Sequence, residues 1–233
     1  MLKRGMKNRA RSDILYYLVM LVFISITVWV HLAAGFTFPV PWPDEAVFVQ
    51  QAASFQQHNS LFSPNLSDSR HILWMPPGYM VVLGMLFKIF GSSLFVARFF
   101  SLLLIIASFV LLVWLLREHP ARFHFLFLTG LFFLNRFFIV TANIARMEPL
   151  LILGLVVAIV LFYNRKSVTA LTVLLALPLV HPNGLYFLCA GIAFIVVQRF
   201  YLKEGITFGS MDKLILGFVL VLIAGYLVYA ALH

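Results

Sequence analysis

Apolar residues in this chain fall in long unbroken runs rather than at alternating or heptad spacing. The first, Ile14 to Ala34, is about 21 residues long, enough as a helix to cross a ~30 Å hydrocarbon core. Further runs follow at about 93–116, 123–142, 148–163, 168–181, 184–200 and 212–232, and each predicts a helix. Two of them, 148–163 and 168–181, hold about 14–16 residues and need a thinned bilayer, a polar vestibule or a flanking turn to cross. Between Gly35 and Gly91 the pattern changes. Ala46 to Gln57 mixes apolar and polar positions as a surface helix does, and Gly78 to Phe90 is about 13 mostly apolar residues interrupted by Lys88, short for a crossing. No internal repeat or low-complexity linker divides the chain. The expected fold class is an all-α polytopic membrane protein forming one domain over 1–233. It has about seven transmembrane helices and a large first outer loop, 35–92, that carries interfacial helices.

Composition strengthens this reading. The chain is 63% hydrophobic and only 11% charged, with a mean hydropathy of +1.01, outside the range of soluble domains. A net charge of +9 and a pI near 10.0 raise the question of nucleic acid. The basic residues lie instead at the ends of apolar runs, where orientation signals lie, so no nucleic-acid partner is expected. The single cysteine, Cys189, sits inside an apolar run and excludes both an internal disulfide and a zinc-finger type of site.

Charge also sets the topology. Lys3, Arg4, Lys7, Arg9 and Arg11 precede the first run. A signal peptide has an apolar core of about 7–15 residues, so this longer run reads as an uncleaved anchor behind a cytoplasmic basic tail, 1–13. If 78–90 does not cross, those five residues share one face with Arg117, Arg122, Arg165, Lys166, Arg199, Lys203 and Lys213, twelve of the seventeen basic residues. If it does cross, the last seven move to the opposite face. The positive-inside rule favours the first arrangement, with 78–90 as an interfacial helix on the outer face of an inner or plasma membrane. Asp44-Glu45, Arg146-Met147-Glu148 and His181-Pro182-Asn183-Gly184 then all reach the outer face, a convergence that the charge count does not require.

These motifs hold the candidate chemistry. Asp44 follows Pro43 and precedes a helical pattern, so it fits an N-cap. A carboxylate held there could equally serve as a general base or as one ligand of a hard cation. Glu45 points elsewhere on a helix, so the two do not form an acid–base dyad. Arg146 and Glu148 lie between two runs, as expected of charges that would cost about 2.5–3.5 kcal/mol each at mid-membrane. They are either an interfacial anchor pair before the helix-starting Pro149, or a second carboxylate facing Asp44 with Arg146 binding an anionic group. Arg98 and Arg136 sit inside runs and either snorkel or hold a lipid phosphate. His181 reads as a helix-end histidine or a substrate contact, and His58 and His71 lack metal spacing.

The order of these motifs resembles a known family. Asp44-Glu45 is followed by Pro76-Pro77-Gly78-Tyr79, a short helix ending Phe87-Lys88-Ile89-Phe90-Gly91, Arg98 in the next span, then Arg146-Met147-Glu148-Pro149 and His181-Pro182. Over about residues 10–230 this resembles the membrane-embedded glycosyltransferases of the GT-C class, which use polyprenyl-phosphate sugars. The closest likeness is to the protein O-mannosyltransferase and aminoarabinose-transferase branch. The resemblance implies a catalytic role for Asp44, with Glu148 as the acidic residue of the later outer loop. It also implies substrate contacts from Glu45, Arg98, Arg136, Arg146 and His181, and a polyprenyl-phosphate-linked sugar as partner within the lipid bilayer. A divalent cation, where one takes part, would fall to Asp44 and Glu148. Met75 stands where related enzymes often carry a basic residue. Family members are commonly longer, so the remaining expectations are a second chain supplying later spans, a fragment, or a non-catalytic membrane scaffold.

Overall fold

The computed structural model describes residues 2–33, 43–61 and 75–200, and beyond these 217, 220, 221 and 223–225. Residues 34–42 and 62–74 of the expected first loop, the 204–210 turn and most of the expected 212–232 span lie outside the described residues. Among those described, regular structure is entirely helical. The helices are α1 Leu2–Ala33, α2 Pro43–His58, α3 Gly78–Phe90, α4 Leu94–Leu116, α5 Arg122–Phe133, α6 Arg136–Ala142, α7 Glu148–Tyr163, α8 Ser167–Ala176 and α9 Gly184–Phe200. A 3-10 turn, Leu177–Leu179, extends α8.

Among the described residues, two helices are long and apolar enough to span a membrane: Ser12–Ala33 within α1, and α4. A third span results if α5 and α6 are taken together, although they meet at a 64° bend. This break corrects the continuous helix expected over 123–142, and Asn135 is its cause. The Asn135 backbone N–H closes α5 on Phe132 O at 3.2 Å, while its side-chain oxygen accepts from Phe137 N at 2.8 Å and caps α6. Asparagine competes with the helix for backbone partners and so favours such a junction. α3, α7, α8 with its 3-10 turn, and α9 are apolar but shorter.

Three clusters hold the helices together. In the first, aromatic side chains from α1, α4, α5 and α6 meet, with Phe23 against Phe109 (centroids 6.1 Å apart) and Phe109 against Phe133 (5.5 Å). Tyr16 closes this cluster by donating its hydroxyl to Val113 O at 2.6 Å. The second joins α2 and α3 to the start of α4 through Phe48, Tyr79, Met80, Leu83 and Phe87, all fully buried. The third unites α7, α8 and α9 around Leu151, Leu174 and Leu177. α4 touches α1, α3, α5, α6 and α7, and so is the post around which the bundle is built.

The charged residues sit at opposite ends of this bundle. At one end the Arg122 guanidinium, at the start of α5, donates to Asp13 Oδ1 and Ser12 Oγ of α1, each at 2.6 Å. At the other end converge the C-terminus of α1, the N-termini of α2, α3 and α4, the 143–147 connection and the 180–183 turn. That second end carries Asp44-Glu45, Arg98, Arg146-Met147-Glu148 and the His181-Pro182-Asn183-Gly184 turn.

Candidate functional site

Two glycines bring the turns of this end together. A Cβ on Gly78 would lie 2.6 Å from Leu179 O, and one on Gly184 would run into the backbone of Leu177 and Pro178. Only residues without a side chain let α3 and α9 begin against the 3-10 turn. The Pro-Pro-Gly-Tyr and His-Pro-Asn-Gly motifs are therefore close-approach points for backbone, and they place Tyr79 and His181 at the same end.

Asp44 lies inside the first turn of α2, which begins at Pro43. The N-cap reading is thereby corrected: the proline starts the helix and leaves Asp44 one position too far along to cap it. Its side chain is 40% exposed, and Oδ2 lies 4.0 Å from an Arg146 guanidinium nitrogen. The same nitrogen lies 2.8 Å from Glu148 Oε1. Arg146 thus stands between the two carboxylates. Among the described residues its Nε and the Glu148 Oε2 are buried without a hydrogen-bond partner, leaving one donor and one acceptor unfilled beside Asp44.

His181 lies within electrostatic reach of Glu148 and Arg146. Burial lowers its pKa below the ordinary 6.5, Glu148 opposes that shift, and Arg146 reinforces it. The Asn183 backbone N–H donates to Nδ1 at 3.0 Å, so the neutral ring carries its proton on Nε2 and offers it as a donor. Asp44, Arg146, Glu148 and His181 are the sequence candidates that the fold brings together at an accessible surface.

Glu45 and Arg98 lie beneath them. Both side chains are fully buried, joined by Arg98 Nε to Glu45 Oε1 at 2.8 Å and Arg98 NH2 to Glu45 Oε2 at 2.7 Å. Glu45 Oε1 also accepts from Ala145 N at 2.7 Å. This fork replaces the snorkelling expected of Arg98, because a guanidinium matched to a carboxylate has no need to reach water. Arg136 is exposed at the start of α6 and makes no described contact with the cluster.

Two further residues had no site role assigned in the sequence. His31, near the end of α1, is fully buried beside Arg98 and Asn143. Tyr79 is fully buried near Glu45 and Glu148, with its hydroxyl next to Ser101. His31 lies among apolar neighbours with no local signal, and Tyr79 was marked only as the last residue of the Pro-Pro-Gly-Tyr motif. Among the described residues no three His, Cys, Asp or Glu side chains gather as metal ligands. The space between the carboxylates of Asp44 and Glu148 holds the Arg146 guanidinium, so the described residues do not fit a divalent cation. Farther along, an apolar groove of about 400 Å³ runs between α7, α8 and α9 past Leu155, Phe162, Leu174, Phe187 and Phe194. It begins about 10 Å from Glu148, at about 1.5 Å of rise per residue.

No family model, curated protein or solved structure matches this chain.

Proposed function

We propose that this chain is a membrane glycosyltransferase, or the N-terminal module of one. It would transfer a sugar from a polyprenyl-phosphate donor to an acceptor hydroxyl on the outer face of a cell membrane, with seven crossings and a cytoplasmic N-terminus. The observation that carries this reading is the accessible Asp44–Arg146–Glu148–His181 cluster with its unfilled donor and acceptor. Asp44 is the exposed carboxylate and can take the proton of an acceptor hydroxyl as that oxygen attacks the anomeric carbon. The carbon–oxygen bond to phosphate breaks in the same displacement, and the phosphate leaves with the bonding electrons. Arg146 and the Nε2–H of His181 are the groups that can meet the developing negative charge. Glu148 orients Arg146, and the α7–α9 groove has the apolar lining that a prenyl chain requires.

A cell strain lacking the protein, complemented with wild type, Asp44→Asn or Arg146→Ala, tests this by glycan transfer at matched membrane abundance. Transfer by the wild type and loss of about 10²–10⁴ in rate with Asp44→Asn is the expected result. Undiminished transfer by Asp44→Asn removes Asp44 from catalysis. Absence of transfer by wild type, alone or with any neighbouring open reading frame, favours the scaffold reading, in which the cluster only ties helix ends together.

A further inference from the structure

The 143–147 connection between α6 and α7 is non-helical, yet Asn143, Ile144, Ala145 and Met147 are at most 4% exposed. Buried irregular backbone is unusual because each peptide group outside a helix must find a partner of its own. Part of the connection is self-satisfied: Asn143 N bonds Val140 O, and Arg146 N bonds Ile144 O, each at 3.0 Å. Ala145 N has no such neighbour. It reaches across a hundred residues of sequence to Glu45 Oε1, whose charge is matched by the Arg98 fork.

From this geometry we infer that Glu45 is a positioning residue. Its carboxylate pins the Ala145 N–H and thereby holds Arg146 and Glu148 in place against Asp44, while Arg98 keeps the buried acceptor charged and aimed. The carboxylate links three segments through one buried polar node: α2, α4 and the 143–147 connection. One consequence is chemical. Residues 44 and 45 address the cluster from consecutive positions on one helical turn, so the pinned Ala145 N–H sets the backbone of Arg146 relative to Asp44. This inference goes beyond the glycosyltransferase reading and does not require it.

The test reads the connection directly, without turnover. In a Cys189→Ala background, Met147→Cys reports on the connection, while Leu102→Cys and Leu174→Cys report on the first and third clusters. Each is exposed to a membrane-impermeant maleimide in native membranes. Glu45→Met removes the acceptor of Ala145 N–H together with the partner of Arg98, and should raise labelling at position 147 by at least about tenfold, the effect on a local opening of losing the charged hydrogen bond that reaches the connection. Positions 102 and 174 should not change. Glu45→Gln keeps an acceptor at the same reach but leaves Arg98 without its counter-charge, and should raise labelling at 147 less than Glu45→Met does. If Glu45→Met does not accumulate, Glu45→Asp decides, since it keeps the charge but stops one methylene short of Ala145, and it should raise labelling at 147 alone. Unchanged labelling at 147 in Glu45→Met and Glu45→Asp would overturn the inference. So would an equal rise at all three positions, or a rise in Glu45→Gln as large as in Glu45→Met.

Discussion

Asp44 and Glu45 are chemically similar and adjacent on one helical turn, yet they occupy different media. Asp44 is 40% exposed and sits at the loose end of an ion pair. Glu45 is wholly buried and accepts three hydrogen bonds. A helical step of about 100° separates them, and that rotation divides a carboxylate that can meet a substrate from one that holds the protein together. Catalysis needs the first kind, because a general base must be reached by the proton it takes. Structure needs the second, because a buried carboxylate is tolerated only when its charge and lone pairs are met.

The sharpest way to break this comparison is to remove one member of the buried pair. Glu45→Ala or Arg98→Ala leaves an uncompensated charge and should cost about 3–5 kcal/mol, measured as lost thermal stability in detergent or as failure to accumulate in membranes. A cost under about 1 kcal/mol would mean that water reaches the pair.

Asp44→Asn should behave oppositely. Stability should change by no more than about 0.5 kcal/mol, as at other partly exposed positions, while transfer activity falls by the orders of magnitude given above. Loss of stability without loss of activity would reverse the assignment of the two neighbours.

His181 supplies a pH test. Its folded pKa is held below the ordinary 6.5, so below that pH the unfolded chain gains a proton that the folded chain refuses. The stability is complete above about pH 6.5 and is lost as the pH falls toward the folded value. Thermal stability should therefore drop as the pH falls below about 6.5, and less steeply in His181→Gln. Identical slopes would remove His181 from the balance.

The smallest effect belongs to the opposite end. Arg122 and Asp13 lie 2.6 Å apart but are 18% and 39% exposed. Asp13→Asn should cost only about 0.2–1 kcal/mol in the same melts. The contrast with Glu45→Ala measures how far burial, rather than ion-pair distance, decides the outcome.

Much of the fold was legible beforehand. The runs at 93–116, 148–163 and 184–200 coincide with α4, α7 and α9 within a residue, because an uninterrupted apolar run has few other ways to satisfy its backbone. Asn135 was visible inside its run, but the 64° bend there was not. A single capping residue is too weak a signal to outweigh some twenty apolar neighbours.

Sequence alone determined the helical character of the chain, the order of its helices and the placement of its polar motifs near their ends. These are local properties, written in composition and spacing. Only the tertiary structure decided which of two adjacent carboxylates turns inward, that Arg98 serves Glu45, and that His31 and Tyr79 join the same end. Those outcomes rest on contacts between residues 53 and 100 positions apart. No local pattern encodes such contacts, because what selects them is the low polarity of the interior, where a charge must find its partner at whatever distance along the chain that partner lies.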